Sequence, residues 1–165
     1  HLGVRYRHTD NDLFFVPEKS FSNKYDLGYD ETQLVSVLAD MRLKLRNSLT
    51  ADLGFVYNDC KPVAEAYAWY RPVVEGRLKL TYDVNEKLDL NATFLSQGGR
   101  YAKVWDKGPV KLNDVFDLGL GADYHVNDQL AVFARLDNLL NQKYQLYYDY
   151  PVTGIEFFAG MKMSF

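Results

Sequence analysis

The sequence lacks any uninterrupted apolar run of about 20 residues, the length that a membrane-spanning helix needs, because charged residues break every apolar stretch. It has one cysteine, Cys60, which can form no internal disulfide and has no partner residues at metal-ligand spacing. A net charge of -3 gives no basic character of the kind that binds nucleic acid. These absences exclude a helical membrane protein, a disulfide scaffold and a nucleic-acid partner, and they predict no metal site.

Aromatic residues are the abundant class, since 13 Tyr, 10 Phe and 2 Trp make up 15% of the chain. The average hydropathy is nevertheless slightly polar, which is an unusual combination. A length of 165 residues suits one domain with its own core. We therefore expect residues 1–165 to form a single unit.

Apolar and polar residues alternate with period two in eight segments, as they do in strands that separate an apolar from a polar environment. Leu38 is the exception within the second segment, and no apolar face carries a charge. The segments are residues 2–7, 35–45, 49–58, 74–84, 88–94, 116–126, 130–137 and 155–165.

The connections between these segments alternate strictly between short and long. Three short polar turns, at residues 46–48, 85–87 and 127–129, predict hairpins, and two of them share the pattern Tyr-x-Val-Asn-acid-x-Leu. Four long connections fall at the opposite end, at residues 8–33, 59–72, 97–111 and 138–154. Short turns at one end and long loops at the other are typical of outer-membrane barrels.

Alternation alone also fits a soluble ligand-binding β-barrel, whose uncharged face points inward. Three features favour a membrane barrel. The aromatic residues of the apolar face lie near the strand ends, as in two interfacial girdles, and a tilted strand of about ten residues covers roughly 23 Å, close to the height of a lipid-facing band. The polar face carries charges of both signs, as a wet lumen would. We therefore predict an all-β, antiparallel, up-and-down transmembrane β-barrel with its apolar face toward outer-membrane lipid. The charges predicted to face the lumen are Asp40, Arg42, Lys44, Glu75, Arg77, Lys79, Arg135 and Asp137.

The last 35 or so residues carry a more specific pattern. Residues 138–144 read Asn-Leu-Leu-Asn-Gln-Lys-Tyr, a Tyr-rich loop follows with Tyr150-Pro151 and Gly154, and the final strand ends in Phe165. This stretch resembles the carboxyl end of TonB-dependent outer-membrane receptors, in particular those of Bacteroidetes type.

The resemblance implies a larger, 22-stranded barrel in a Gram-negative outer membrane, of which this chain supplies about eight strands. It also implies a plug domain, absent here, that would couple to TonB, and a final strand read by the barrel assembly machinery. The residues expected to form that assembly signal are Ala159, Met161, Met163 and Phe165. On this interpretation the carboxyl end is the native one, the amino end is not, and the rest of the barrel or a partner chain covers the sheet edges.

A transport role follows from the same resemblance: uptake of a scarce nutrient of the siderophore, corrinoid or glycan class. Ten residues of the long loops offer flat rings and hydrogen-bonding tips for such a ligand, namely Tyr67, Trp69, Tyr70, Arg71, Arg100, Tyr101, Trp105, Tyr147, Tyr148 and Tyr150. The alternative for these residues is that they pack the loops together or extend the external aromatic girdle.

An enzyme is not predicted, because His1, His8 and His125 are far apart, no nucleophile motif occurs and no cofactor is implied. Two other functions stay open. One is a complete eight-stranded outer-membrane barrel with a structural or adhesive role, in which the first segment would pair with the last; the other is the soluble ligand-binding barrel.

Overall fold

The computed structural model describes residues 1–18 and 21–164, with the backbone alone at 21–23. Phe165, one residue of the predicted assembly signal, lies outside the described residues. The strands of this part of the chain are β1 (Leu2–Glu18), β2 (Phe21–Arg46), β3 (Leu49–Pro62), β4 (Val74–Asn85), β5 (Leu88–Gly98), β6 (Tyr101–Val104), β7 (Gly108–Lys111), β8 (Val115–His125), β9 (Leu130–Asp137), β10 (Gln145–Tyr147), β11 (Tyr150–Pro151) and β12 (Glu156–Met163).

Eight of these strands form one antiparallel sheet in the order β1-β2-β3-β4-β5-β8-β9-β12. Each strand of the sheet therefore lies beside its neighbour in the chain, which confirms the predicted all-β, up-and-down topology. The remaining strands form two small hairpins, β6-β7 and β10-β11, inside two of the long connections. β1 and β12 are the outer strands of the sheet, and within the described residues they do not pair with each other.

The three short turns lie where the sequence predicts them, and asparagine side chains explain the repeat shared by two of them. The Asn85 side-chain oxygen accepts a hydrogen bond from Lys87 N at 2.9 Å, and that of Asn127 accepts from Gln129 N and Leu130 N at 2.9 and 2.8 Å. An asparagine that bonds the backbone two residues on closes a tight turn without help from the sheet ladder.

The prediction of a loop over residues 8–33 is wrong, because β1 and β2 continue through most of it as a long hairpin. The pairing changes register between Thr9 and Asp12, where β1 has one extra residue as a β-bulge. Before the bulge Tyr6 lies on the apolar face, whereas after it Leu13 and Phe15 take that face and Phe14 faces the other way. A one-residue slip exchanges the two faces, so the period-two pattern ends at the bulge although the strand does not.

One face of the sheet is apolar and exposed across all eight strands. Val4 is 74% exposed, Phe157 66% and Met161 71%, and the central strands follow the same pattern at Phe55, 46%, and Leu120, 47%. An apolar surface of this extent is not left in contact with water by a stable soluble monomer. No helix in the described ranges is long and apolar enough to cross a membrane.

The opposite face of the sheet is polar, and charged side chains on it pair across neighbouring strands. Arg77 on β4 reaches across β3 to Asp40 on β2, with its Nη2 2.7 Å from the carboxylate. The intervening residue is Gly54, and a Cβ there would lie 2.3 Å from Arg77 Nε. Glycine is therefore required at this position if the arginine is to cross the strand.

Candidate functional site

The connections at the long-loop end pack into one cluster. It is made of the distal hairpin (residues 12–18 and 24–30), loop A (63–73), loop B (99–114, including β6 and β7) and loop C (138–155, including β10 and β11). Four of the six buried apolar residues of the described chain lie here, namely Phe14, Trp69, Ala102 and Leu112, and Val115 begins β8 directly after loop B. The sheet thus carries its apolar face outward and has its core beneath the loops.

Loop A is anchored to β2 by Asp30, which is only 8% exposed. Its carboxylate accepts hydrogen bonds from Ala64 N at 3.0 Å and from Glu65 N at 2.9 Å, while Val63 N donates to the carbonyl of Glu31 at 3.0 Å. Backbone donors that point at a buried carboxylate fix the position of the loop, because either partner left alone would be costly.

Two predicted ligand residues, Trp69 and Arg100, are buried, with 4% and 2% of their surface exposed. Trp69 Nε1 donates to Glu65 at 2.8 Å, and Lys103 pairs with the same carboxylate at 2.6 Å. Arg100 donates to the carbonyl of Asn113 at 3.1 Å, and burial lowers its pKa. Trp69 thus bonds within loop A and Arg100 within loop B, while the Lys103–Glu65 pair joins the two loops. Both buried side chains serve the packing that the sequence analysis gave as the alternative.

Arg71 of loop A forms a two-point ion pair with Asp12 of the distal hairpin. Its two terminal nitrogens lie 2.6 and 2.7 Å from the two carboxylate oxygens, and Nη2 also donates to the carbonyl of Leu13 at 2.9 Å. The guanidinium stacks 4.5 Å from the ring centre of Phe14. The hydrogen bonds from Arg71 hold the pKa of Asp12 at about 2, although burial acts in the opposite direction.

A tyrosine cluster joins the distal hairpin to loops A and C. The Tyr25 ring lies 5.9 Å from that of Tyr70, 5.4 Å from Tyr147 and 5.9 Å from Tyr150. Phe15 packs edge-on against Tyr147 at 5.7 Å. Burial raises the pKa of both Tyr25 and Tyr70, so the two phenols stay neutral hydrogen-bonding groups in this cluster.

Loops B and C meet the hairpin through polar contacts of the remaining predicted residues. Trp105 Nε1 donates to the carbonyl of Pro17 at 2.6 Å, and the Tyr25 hydroxyl donates to the carbonyl of Tyr148 at 3.0 Å. Lys107 donates to the Tyr148 hydroxyl at 3.3 Å. The hairpin is therefore held by all three loops.

A cavity of about 530 Å³ lies on the polar face beneath loop A. Its wall includes Tyr67 and Tyr101, whose rings stack at 4.2 Å and 20°. Arg71 lines it together with Arg5 and Arg7 from the polar row of β1. Sequence reasoning missed both β1 arginines and Asp12, although alternation already places Arg5 and Arg7 on the face that carries the other charges.

The Asn-Leu-Leu-Asn pattern that carries the family resemblance closes β9. Asn138 has a left-handed backbone, φ 50°, and is 4% exposed. Its Nδ2 lies 3.0 Å from the carbonyls of both Gln142 and Thr153, and its Oδ1 accepts from Gln142 N at 3.0 Å. Asn138 therefore serves to fix the backbone where β9 ends and loop C begins.

Tyr144, the last residue of that pattern, holds loop C against β8. Its hydroxyl donates to Asp117 at 3.0 Å, and burial followed by this hydrogen bond raises its pKa to about 12. Gly154 lies where a Cβ would meet Asn141 at 2.5 Å. The motif is therefore a structural brace for loop C in this chain.

The described members of the predicted assembly signal share the apolar face of β12. Ala159, Met161 and Met163 pair with Ala134, Val132 and Leu130 of β9, and the two methionines are 71% and 57% exposed. Their proposed part in barrel assembly stays a prediction.

The charges predicted to face the lumen all lie on the polar rows of their strands. Two of them form the Arg77–Asp40 pair, and Arg42 pairs with Asp52 on the neighbouring strand. Lys44, Glu75, Lys79, Arg135 and Asp137 occupy the same face. In the residues that the structure describes, no group of three or more His, Cys, Asp or Glu is placed to hold a metal ion.

No protein-family model and no curated protein matches this sequence. Solved structures do match it. The pyoverdine outer-membrane receptor FpvA of Pseudomonas aeruginosa aligns with a TM-score of 0.73 at 14% identity, over 99% of this chain and 27% of its own. The ferric-catecholate import receptor Fiu of E. coli K12 gives 0.69 at 13%, over 99% and 25%, and the siderophore receptor PiuA of Acinetobacter baumannii gives 0.67 at 14%, over 99% and 26%.

At such identities the likeness concerns the fold, and the chain spans about a quarter of the length of each of these receptors. The eight-stranded meander, its exposed apolar face and its long loops at one end are all accounted for by that fold. The chain has the architecture of the transmembrane β-barrel of TonB-dependent receptors.

Proposed function

We propose that the chain forms part of the barrel wall of a TonB-dependent receptor in the outer membrane of a Gram-negative bacterium. The observation that carries this proposal is the single apolar face, exposed across eight strands, on a sheet with the fold of receptor barrels. The protein would be a transporter rather than an enzyme.

Lipid is the partner that suits the apolar face. Aromatic side chains of that face lie toward the ends of the strands, with Tyr82 and Tyr124 near the short turns and Phe55 and Phe116 toward the long loops. Rings at the two interfaces and aliphatic residues between them are the arrangement of a transmembrane barrel.

Further strands of the same protein are the partner that suits the sheet edges. β1 and β12 end the sheet, and a closed eight-stranded barrel would need them to pair, which the described residues do not show. Unpaired edges of this length would aggregate, so they need covering strands. This favours part of a larger barrel, for which the resemblance suggests 22 strands, over the self-contained structural or adhesive barrel.

The loop cluster is the part that would capture the nutrient. Tyr67, Tyr101, Trp105 and Tyr150 keep surface on or beside the cavity and outer loops, whereas Trp69 and Arg100 serve packing. The similar receptors are described as binding pyoverdine or importing ferric catecholates, so a siderophore is one candidate beside the corrinoid and glycan classes. Coupling to TonB through a plug, assembly by the barrel machinery and the Bacteroidetes-like origin rest on the resemblance of the carboxyl-terminal residues alone.

A spin-label scan of the full-length protein in lipid vesicles tests the proposal. Nitroxides placed at Val37 and Leu120 of the apolar face, in a Cys60→Ser background, should be relaxed by oxygen, which partitions into lipid. Labels at Lys44 and Lys79, which are exposed on the polar face, should respond to a water-soluble nickel chelate instead. A protein that stays monomeric in plain buffer, without lipid or detergent, would establish the soluble barrel in place of this proposal.

A further inference from the structure

The cavity beneath loop A brings three guanidinium groups to one space. Arg5 and Arg7 point from β1 to the polar face, because they pair in register with Ser36 and Leu34 of β2, and Arg71 descends from loop A. The sequence separates Arg71 from the other two by more than 60 residues, so the fold and not the local pattern creates the group.

The charges of these arginines are satisfied unequally. Arg71 is neutralised by Asp12 through two short contacts. Neither Arg5 nor Arg7 forms an ion pair with any residue in the described part of the chain. The one carboxylate on the cavity wall, Glu75, accepts a hydrogen bond from the Gln97 amide at 3.2 Å and can offset only one of these two charges. The cavity therefore has an excess of positive charge.

The other wall of the cavity is flat and aromatic. Tyr67 and Tyr101 stack on each other, and Tyr67 retains 37% of its surface. A guanidinium group binds carboxylate and phosphate oxygens through paired, planar hydrogen bonds, and a tyrosine face accepts a flat neighbour. The two walls together suit an anionic group joined to a flat one.

The contact between Asp12 and Arg71 is an example of how a carboxylate binds this guanidinium group. Its carboxylate occupies the planar edge of the guanidinium, and this contact is also the ion pair that ties the distal hairpin to loop A. The Arg71 side chain keeps 33% of its surface, so it is open to a competitor from the cavity side. A ligand anion at Arg5 and Arg7 would lie beside it.

We propose that the cavity binds a ligand with closely spaced carboxylate or phosphate oxygens through Arg5 and Arg7, and that the bound anion competes with Asp12 for Arg71 and so loosens the distal hairpin. This inference rests on the proposed function, since it specifies the charge of the captured nutrient and a way in which its binding loosens the distal hairpin. It distinguishes an anionic nutrient from an uncharged glycan.

Binding of benzene-1,3,5-tricarboxylate to the full-length protein in detergent micelles tests the charge requirement, with the uncharged triamide of the same ring as the matched ligand. The tricarboxylate should bind at least tenfold more tightly than the triamide. Arg5→Gln combined with Arg7→Gln should weaken tricarboxylate binding at least tenfold. Arg5→Lys with Arg7→Lys, which keeps the charges but not the paired hydrogen bonds, should restore part of it. Arg135→Gln, on the same face but in β9, should change it less than twofold.

Amide hydrogen exchange in the distal hairpin tests the competition. Exchange should become at least threefold faster at residues 12–17 when the tricarboxylate binds, and not when the triamide is added. Equal binding of the two ligands, or full binding by the glutamine variant, overturns the anion site; unchanged or slower exchange overturns the competition with Asp12. The gel shift between heated and unheated protein reports the barrel separately, so loss of anion binding in an intact barrel counts against this inference alone.

Discussion

Asp12→Asn removes one charge from the contact between the distal hairpin and loop A while keeping nearly the same shape. In the native protein Arg71 holds the pKa of Asp12 at about 2, against 3.8 for an ordinary aspartate, which corresponds to about 2.4 kcal/mol of preference for the charged form. The Arg71 side chain is 33% exposed, so water screens part of this. We expect the free energy of opening the hairpin to fall by about 1–2 kcal/mol.

Amide hydrogen exchange at residues 12–17 and 25–30 measures this opening directly. A loss of 1–2 kcal/mol corresponds to exchange that is about 5–30 times faster, because exchange follows the population of the open form. Asp10→Asn is the matched control, since its side chain is 84% exposed and, among the described residues, its ion pair is with His8 alone. Equal exchange in the two variants would refute the assignment of Asp12–Arg71 as the main polar tie of the hairpin.

The same pair predicts a pH dependence with a definite sign. The folded-state pKa of Asp12 lies below the ordinary value, so its contribution is complete above about pH 3.8 and is lost as the pH falls toward 2. Arg7, Arg71 and the Thr32 hydroxyl face this carboxylate, and Asp30 lies opposite it on β2. The fluorescence of Trp105, whose indole bonds Pro17 of the hairpin, should change over this range in the native protein and not in Asp12→Asn.

Three further substitutions test the assignment of the two sheet faces, the role of Asn138 in loop C and the Arg77–Asp40 pair. Leu120→Lys, at the centre of the apolar face, should destabilise the barrel in lipid by about 2–4 kcal/mol, measured by urea unfolding in vesicles, whereas Asn91→Lys on the polar face should cost under about 1 kcal/mol; equal costs would contradict the assignment of faces. Asn138→Ala should lower the free energy of unfolding by about 2–3 kcal/mol, since it leaves several backbone groups without hydrogen-bond partners at a residue with a left-handed backbone. A loss below about 0.5 kcal/mol would contradict the structural role assigned to Asn138. Gly54→Ala should displace Arg77 from Asp40 and lower stability by about 1 kcal/mol or less, with no further loss when Asp40→Asn is added.

The sequence predicted the sheet well because its strands separate two environments. Alternation from Val35 to Leu45 or from Leu130 to Asp137 is a local property, and two of the three polar turns are closed by an asparagine within the turn. The faces of the eight predicted segments, and the order of strands that follows from short hairpins, could therefore be obtained without the structure.

The loop cluster could be predicted only as a set of residue types. Trp69 and Tyr101 look alike in sequence as candidate ligand residues, yet one is buried against Glu65 and the other faces the cavity. Their difference depends on contacts between segments far apart in the chain, which period and composition do not contain. Arg5 and Asp12 were missed for the same reason, because Arg71, which pairs with Asp12 and shares the cavity wall with Arg5, lies about 60 residues further on.

The extra residue between Thr9 and Asp12 gives the distal hairpin its direction. Removing Asn11 would leave a regular ladder in which Thr9 still meets Thr32 and Asp12 still meets Asp30, so no side chain would change faces. What would be lost is the local bend and added twist that a bulge gives to its strand. A shortened strand of this kind would be as well paired as the native one but would point in another direction. A single extra residue thus decides whether the distal hairpin meets loops A, B and C.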